Sequence, residues 1–126
     1  MPLLERIDQN NEKYIDNLID KYNCSSAIAE AGRENLYSLY CTGCNDYVGI
    51  CTWIIADQIC YPFILIEKNR RRVHYGIDTF VKIREIAQKE GCRECRAELS
   101  EATAIAFAKA CGFHNAHQEN VYQLII

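Results

Sequence analysis

A chain of 126 residues with 49% hydrophobic content has the size of one ordinary domain with a single core, so one domain over residues 1–126 is expected. Its formal net charge of −3 and pI of about 5.6 exclude binding to nucleic acid through overall charge, and no nucleic-acid partner is expected. The opening MPLLERIDQNNEKY has no basic segment leading into a long apolar stretch, and no apolar run approaches the roughly 18 residues that span a bilayer; a soluble cytoplasmic protein with no membrane partner is expected.

Leu3, Glu5 and Ile7 alternate with Leu4 and Arg6, which predicts a short first strand. Asp8 or Asn10 then caps a helix in which Ile15, Leu18, Ile19 and Tyr22 fall on one face at i, i+3, i+4 and i+7. A second short helix is expected over Ser26–Gly32, ended by its glycine. From Leu36 the period becomes two: a strand to Cys41, a turn over Thr42–Asp46, a strand over Tyr47–Ala56, a tight connection at Asp57-Gln58 and a strand over Ile59–Ile66. A helical pattern starts at Gly76 and Ile77, buries Ile77, Phe80, Val81, Ile83 and Ala87, and stops at Gly91. Arg93–Leu99 follows as a strand, and Ser100 can cap a helix whose apolar side is Ile105, Phe107, Ala108 and Cys111. Gly112 ends that helix, and Val121–Ile126 closes the chain as a strand. The predicted order is β-α-α-β-β-β-α-β-α-β, an α/β (α+β) domain around a mixed sheet.

The informative stretch is Cys60–Gly91. An apolar run, Phe63-Ile64-Leu65-Ile66, gives way to a turn crowded with Lys68, Arg70, Arg71 and Arg72, and a helix follows. A strand, basic turn and helix bring unpaired backbone N–H groups, the positive end of a helix dipole and cationic side chains to one place, which suits a phosphate-bearing ligand. A solvated turn is the ordinary alternative. No aromatic platform is interleaved with the arginines, as a single-stranded nucleic acid would require.

These residues resemble the GCN5-related N-acetyltransferase (GNAT) family, which transfers an acyl group from acyl-coenzyme A to an amine. The family's fourth strand, its pyrophosphate loop of the form Arg/Gln-x-x-Gly-x-Gly/Ala and a long helix come in this order. Ile66 stands five residues before Arg71, and Arg71-Arg72-Val73-His74-Tyr75-Gly76 occupies the loop. Gly49 matches a glycine early in the third strand, and Ala104–Phe113 looks like the final helix with its Gly-Phe ending. The element order covers nearly the whole chain; motif-level similarity is confined to about residues 60–113.

The resemblance implies a mostly antiparallel mixed sheet flanked by helices, and acetyl-CoA as acyl donor. It assigns Ile64, Leu65 and Ile66 to the pantetheine arm, where strand backbone pairs with the pantetheine amides. Arg71, Arg72, Val73, His74, Tyr75 and Gly76 are assigned to the pyrophosphate, through backbone N–H groups and charge-assisted bonds. The acceptor is a small-molecule or protein amine. Three positions depart from the pattern: His74 stands where the first loop glycine belongs, Ala108 where many members carry the aromatic hydroxyl that protonates the departing thiolate, and Glu101 or Ala102 where an asparagine is frequent. No catalytic base or acid is assigned. Glu67 and Glu98 are candidates for the base and Tyr75 and Tyr122 for the acid, with surface carboxylates and core aromatics as the alternatives. The second expectation is an interaction protein on the same fold with weak or no turnover, with or without coenzyme A binding, which His74 and Ala108 favour.

Eight cysteines, with no secretion signal, are expected as reduced thiols, and Cys51, Cys60 and Cys111 fit apolar patterns as small core residues. Cys41-x-x-Cys44 and Cys92-x-x-Cys95 have zinc-ligand spacing. In the predicted topology they lie at opposite ends of a strand about 20 Å long, against zinc–sulfur bonds of about 2.3 Å, so no shared metal is expected. Cys111-x-x-His114-x-x-His117 is expected as a buried cysteine followed by two loop histidines.

Overall fold

The structure, a computed structural model, describes residues 2–126 apart from the side chains of Arg72 and Val73. Seven strands, β1 (Leu3–Arg6), β2 (Tyr37–Cys41), β3 (Asp46–Ala56), β4 (Ile59–Ile66), β5 (Glu94–Glu98), β6 (His114–Asn115) and β7 (Val121–Ile125), are ordered β1-β2-β3-β4-β5-β7-β6. The helices are α1 (Glu12–Lys21), α2 (Ser25–Ile28), α3 (Tyr75–Lys89) and α4 (Ala102–Ala110), with 3-10 turns at Ala29–Ala31, Arg33–Asn35 and Lys68–Val73. β4 and β5 run parallel, whereas β1–β2, β2–β3, β5–β7 and β6–β7 are antiparallel. The predicted element order is present with one addition, the two-residue strand β6. Its residues show no alternation of their own and are defined by pairing His114 with Gln123 and Asn115 with Tyr122. Among the described residues no helix is long and apolar enough to cross a membrane.

The chain divides into two compact units. The first comprises the residues up to Trp53 together with Phe63–Thr79. Here the apolar face of α1 behaves as its spacing requires: Ile15 and Leu18 are buried with Ile28, Leu36 and Ile50, and Ile19, Tyr22, Phe63 and Leu65 pack around them. The start of α1 differs from expectation. Asn11, rather than Asp8 or Asn10, occupies the N-cap position, and it makes no side-chain cap bond to the helix. It is buried instead, with its Oδ1 accepting from the Asp8 N–H at 2.8 Å and its Nδ2 donating to the carbonyls of Glu5 and Arg6 and to Ser38 Oγ at 2.8 Å. One amide thereby satisfies polar groups of β1 and β2 that would be costly to bury unpaired. Asp8 Oδ1 accepts from the Asn10 N–H, a local turn that competes with a helix cap.

Gly49, paired with Leu39 across β2–β3, is required by contact. A Cβ at this position would stand 2.1 Å from the carbonyl oxygen of Leu65 on β4, a backbone atom that cannot swing aside. Beyond it the Glu67 N–H donates to the Val48 carbonyl at 2.9 Å, which fixes the end of β4 on β3.

The second unit comprises Ile54–Pro62 and Phe80–Ile126. Asp57 and Gln58 both have positive φ, 54° and 63°, which is the twist a two-residue hairpin needs between β3 and β4. The parallel ladder joins Ile59 to Glu94 and Cys60 to Cys95; two residues later Pro62 has no N–H to contribute. Gly91, at φ 85°, ends α3, with the Cys92 N–H donating back to the Ala87 carbonyl at 2.9 Å. Phe80 and Phe113 are buried with ring centroids 5.2 Å apart, and Ile83, Ala87, Cys60 and Cys95 are fully enclosed. Ser100 does not cap α4; the N-cap position falls one residue later at Glu101, whose side chain makes no cap bond. Cys111 is half-buried rather than enclosed, and His114 belongs to β6 rather than to a loop.

Replacing Gly49 by alanine is therefore expected to destabilise the protein by about 1–3 kcal/mol, the usual range for overpacking. Urea denaturation followed by circular dichroism measures this, and an unchanged midpoint would contradict the close approach of β3 to Leu65.

Candidate functional site

The junction between β4 and α3 lies within the first unit up to Thr79. Ile64 and Leu65 are half-buried near the end of β4, and Ile66 is buried. Glu67, at φ −56° and ψ 139°, turns the chain out of the strand into the 3-10 turn Lys68–Val73. That turn is tied down at several points. The Lys68 N–H donates to Tyr22 Oη at 3.0 Å, the Arg70 N–H to the Glu67 carbonyl at 2.8 Å, and Arg71 Nε to the Ile66 carbonyl at 2.9 Å. Arg70 pairs with Asp46, at the start of β3, at 2.8 Å. Two of the loop's cations are thus engaged in holding its shape. The side chains of Arg72 and Val73 lie outside the described residues.

His74 ends the 3-10 turn at φ 58° and ψ 23°, the left-handed conformation. The position at which the sequence substitutes histidine for glycine is one where the backbone has the form that glycine adopts most easily. An L-residue pays about 1–2 kcal/mol for that conformation. α3 starts immediately afterwards at Tyr75, with the Asp78 N–H donating to the His74 carbonyl at 3.1 Å and Thr79 Oγ1 to the Tyr75 carbonyl at 2.8 Å. The first N–H groups of the helix, from Tyr75 and the buried Gly76 onward, have no partners within it and carry the positive end of its dipole. Ile64–Ile66, Arg71, His74, Tyr75 and Gly76 are therefore gathered at one strand-turn-helix junction.

Glu67 is not a free carboxylate. Its Oε2 accepts from Tyr14 Oη at 2.6 Å, and the Tyr14 ring stacks on Tyr47 with centroids 4.8 Å apart. Burial first, then the bond to Glu67 and its charge, push the Tyr14 hydroxyl well above the ordinary tyrosine range, so it stays protonated and donates. Of the other candidates, Glu98 is exposed on β5, Tyr122 is buried on β7, and Ala108 is buried in α4 with no hydroxyl to offer. Among the acidic residues from α1 to the start of β2, Asp20 and Glu34 are exposed. Asp16 is held by Arg33 through bonds of 2.6 and 2.9 Å, which keep its carboxyl below the usual range.

Tyr75 has a neighbourhood that the sequence did not disclose. Its hydroxyl lies 3.0 Å from Cys41 Sγ and 3.8 Å from Cys44 Sγ, at the turn between β2 and β3. The spacing of those cysteines was visible, but their link to Tyr75 crosses more than thirty residues and has no local pattern. Among the described residues no group of three or more histidine, cysteine, aspartate or glutamate side chains is placed to hold a metal.

Comparison with solved structures identifies the architecture. An acetyltransferase from Bacillus subtilis in complex with CoA superposes over 100% of this chain and 99% of its own at 13% identity, with a TM-score of 0.70. The ribosomal-protein-S18-alanine N-acetyltransferase of Escherichia coli matches over 100% of this chain and 94% of its own at 16% identity, TM-score 0.68. Tetrahymena GCN5 matches over 98% and 96% at 16% identity, TM-score 0.64. No protein-family model and no curated sequence matches the chain. The fold is that of the GCN5-related N-acetyltransferases.

The left-handed backbone at position 74 predicts an order of stability among variants. His74→Gly should change stability by less than about 1 kcal/mol, because relief of strain is offset by glycine's larger conformational entropy when unfolded. His74→Val should lose at least about 1 kcal/mol, since a β-branched residue is a true outlier there. Chemical denaturation of the two variants beside the parent checks the order.

Proposed function

We propose that the chain is a divergent GCN5-related N-acetyltransferase that binds acetyl-CoA and transfers its acyl group to an amine of a small molecule or protein, in the cytoplasm. The observation that carries this is the backbone of His74. The residue departs from the loop pattern, yet its conformation lets the helix start directly after it, and the unpaired N–H groups of that helix's first turn are what a pyrophosphate would meet. In this reading Arg71, Arg72, Val73, His74, Tyr75 and Gly76 hold the pyrophosphate, and Ile64, Leu65 and Ile66 present strand backbone to the pantetheine arm. The Ile66 carbonyl already accepts from Arg71 and the Leu65 carbonyl faces Gly49 on β3, so Ile64 carries most of that pairing.

Transfer proceeds by direct attack of the neutral amine on the thioester carbonyl; the C–N bond forms, the C–S bond breaks, and the amine's proton leaves to water or a carboxylate. Glu67, oriented by Tyr14, is the carboxylate best placed by its surroundings to be a base, directly or through water. With alanine at position 108 the leaving thiolate receives no proton from that side chain. A thiol with a pKa near 8.5 is a fair leaving group, and general acid catalysis contributes about 10²–10⁴-fold, so turnover is slowed rather than abolished. Ala108 also favours a second reading, a coenzyme-binding protein without turnover on the same fold.

A thermal shift with acetyl-CoA tests the binding step. Ligand at about 100 times its dissociation constant should add roughly 2.7 kcal/mol. No shift at millimolar ligand would sink the coenzyme site. With a shift in hand, release of free thiol over a panel of amines separates the two readings, turnover supporting the enzyme and its absence the binder.

A further inference from the structure

Cys41 closes β2, Cys44 sits in the turn, and β3 starts at Asp46. A tight turn keeps residues three apart within about 7 Å, and a disulfide requires Cα atoms about 4.4–6.8 Å apart. The sulfurs are also oriented toward one another's neighbourhood. The Cys44 N–H donates to Cys41 Sγ at 3.3 Å, and the Tyr75 hydroxyl lies against both sulfurs, 3.0 Å from Cys41 and 3.8 Å from Cys44. The turn is braced by Asn45, at φ 55°, whose side chain accepts from the Tyr40 hydroxyl. Cys44 is exposed and Cys41 half-buried, so a small solute can reach the pair.

The other cysteines lack this combination. Cys51, Cys60, Cys92 and Cys95 are buried, and burial raises the thiols of Cys24, Cys51 and Cys111. Donation from Cys60 lowers Cys95, but that sulfur is fully enclosed, whereas Cys41 is lowered and within reach of solvent. Donation from Tyr75 foremost, then from Cys44, lowers its thiol to about 7, so near neutral pH a large fraction is thiolate. The same contacts with Cys41 and Cys44 push the Tyr75 hydroxyl upward, which keeps it protonated as the donor.

We propose that Cys41 and Cys44 form a redox-active dithiol in which Cys41, its sulfur held by the Tyr75 hydroxyl and the Cys44 N–H, is the site attacked by a hydroperoxide and Cys44 is the resolving thiol. The Cys41 thiolate attacks the peroxide O–O bond; for hydrogen peroxide one oxygen goes to sulfur as the sulfenic acid and the other leaves as hydroxide. The Cys44 thiolate then attacks the sulfenic sulfur, the S–S bond forms, and the sulfenic oxygen leaves with protons as water. Two electrons pass from the sulfurs to the peroxide, and a dithiol reductant reverses the change by exchange. Oxidation removes the thiolate that Tyr75 serves, and so withdraws a hydrogen-bond acceptor from the first residue of α3. The dithiol does not depend on the coenzyme reading.

The test uses the whole reduced chain, freed of metal by chelation. After one equivalent of hydrogen peroxide, peptide mapping by mass spectrometry should find a Cys41–Cys44 disulfide that dithiothreitol removes. In Cys44→Ser, a sulfenic-acid trapping reagent should label Cys41. Alkylation of Cys41 by iodoacetamide should rise with pH through a midpoint near 7, and Tyr75→Phe should move that midpoint upward. The proposal is overturned if peroxide oxidises Cys44 or another cysteine first, if no Cys41–Cys44 disulfide forms in the parent protein, or if Tyr75→Phe leaves the alkylation profile where it was. The disulfide and the profile of the parent protein decide the matter even if a variant fails to fold.

Discussion

The junction between β4 and α3 depends on how closely the backbone of β3 meets that of β4. At Gly49 there is no room for a single methyl group against the Leu65 carbonyl, and one residue away the Val48 carbonyl takes the Glu67 N–H. β4 is thereby pinned at the point where it must stop. The chain leaves it at Glu67 in a fixed direction, and the polar turn, His74 and the start of α3 follow from that exit. A side chain at position 49 would act on the site without touching it, by displacing the strand from which the turn departs.

The basic turn shows how charge serves shape before it serves binding. Read as a sequence, four cations in five residues suggest a cluster waiting for an anion. In the structure Arg70 is committed to Asp46 and Arg71 Nε to the Ile66 carbonyl, and both bonds close the turn onto the strands beside it. These side chains organise a backbone whose own N–H groups, with the dipole of α3, are what an anion would meet. Preorganisation of this kind lowers the ordering cost that binding would otherwise carry. Asp46 belongs to the same device, since without it an arginine at this place would be one more mobile surface charge.

Much of the fold was legible because its signals are local. The alternation over β2–β4 and the i, i+3, i+4 spacing of α1 each report one buried face, and burial of Ile15, Leu18, Ile50 and Leu39 follows. The helix starts were less legible, because several short polar residues compete there and the winner is chosen by tertiary demand. Asn11 took the N-cap position while its amide serves β1 and Ser38; nothing in the order Asp8, Asn10, Asn11 announces that. β6 was invisible because two residues have no period. In the site, the strain at position 74 could be anticipated, since a pattern glycine replaced by a residue with a Cβ poses a definite conformational question. Its answer, a left-handed histidine, is set by the folded backbone around it. The partnership of Tyr14 with Glu67 spans fifty-three residues and that of Tyr75 with Cys41 thirty-four, distances at which sequence spacing says nothing.

The departures from the family pattern differ in physical weight. His74 is a substitution of residue type with the backbone conserved in form, so its cost is strain, paid once on folding and absent from any ligand contact. Ala108 is a loss of chemistry: a buried methyl group cannot donate a proton whatever its neighbours do. In the proposed reading, the first kind of change would leave a binding surface intact and the second would act only on a reaction step, so a chain carrying both would retain its recognition elements more completely than its catalytic ones. Tyr75, one of the two tyrosines offered by the sequence as that acid, has another partner at the junction. Its hydroxyl is directed to the Cys41 and Cys44 sulfurs, and its proton is held there by the same contacts that draw Cys41 toward the thiolate. The hydroxyl that sequence reasoning considered for a leaving thiolate thus attends a thiolate of the protein's own.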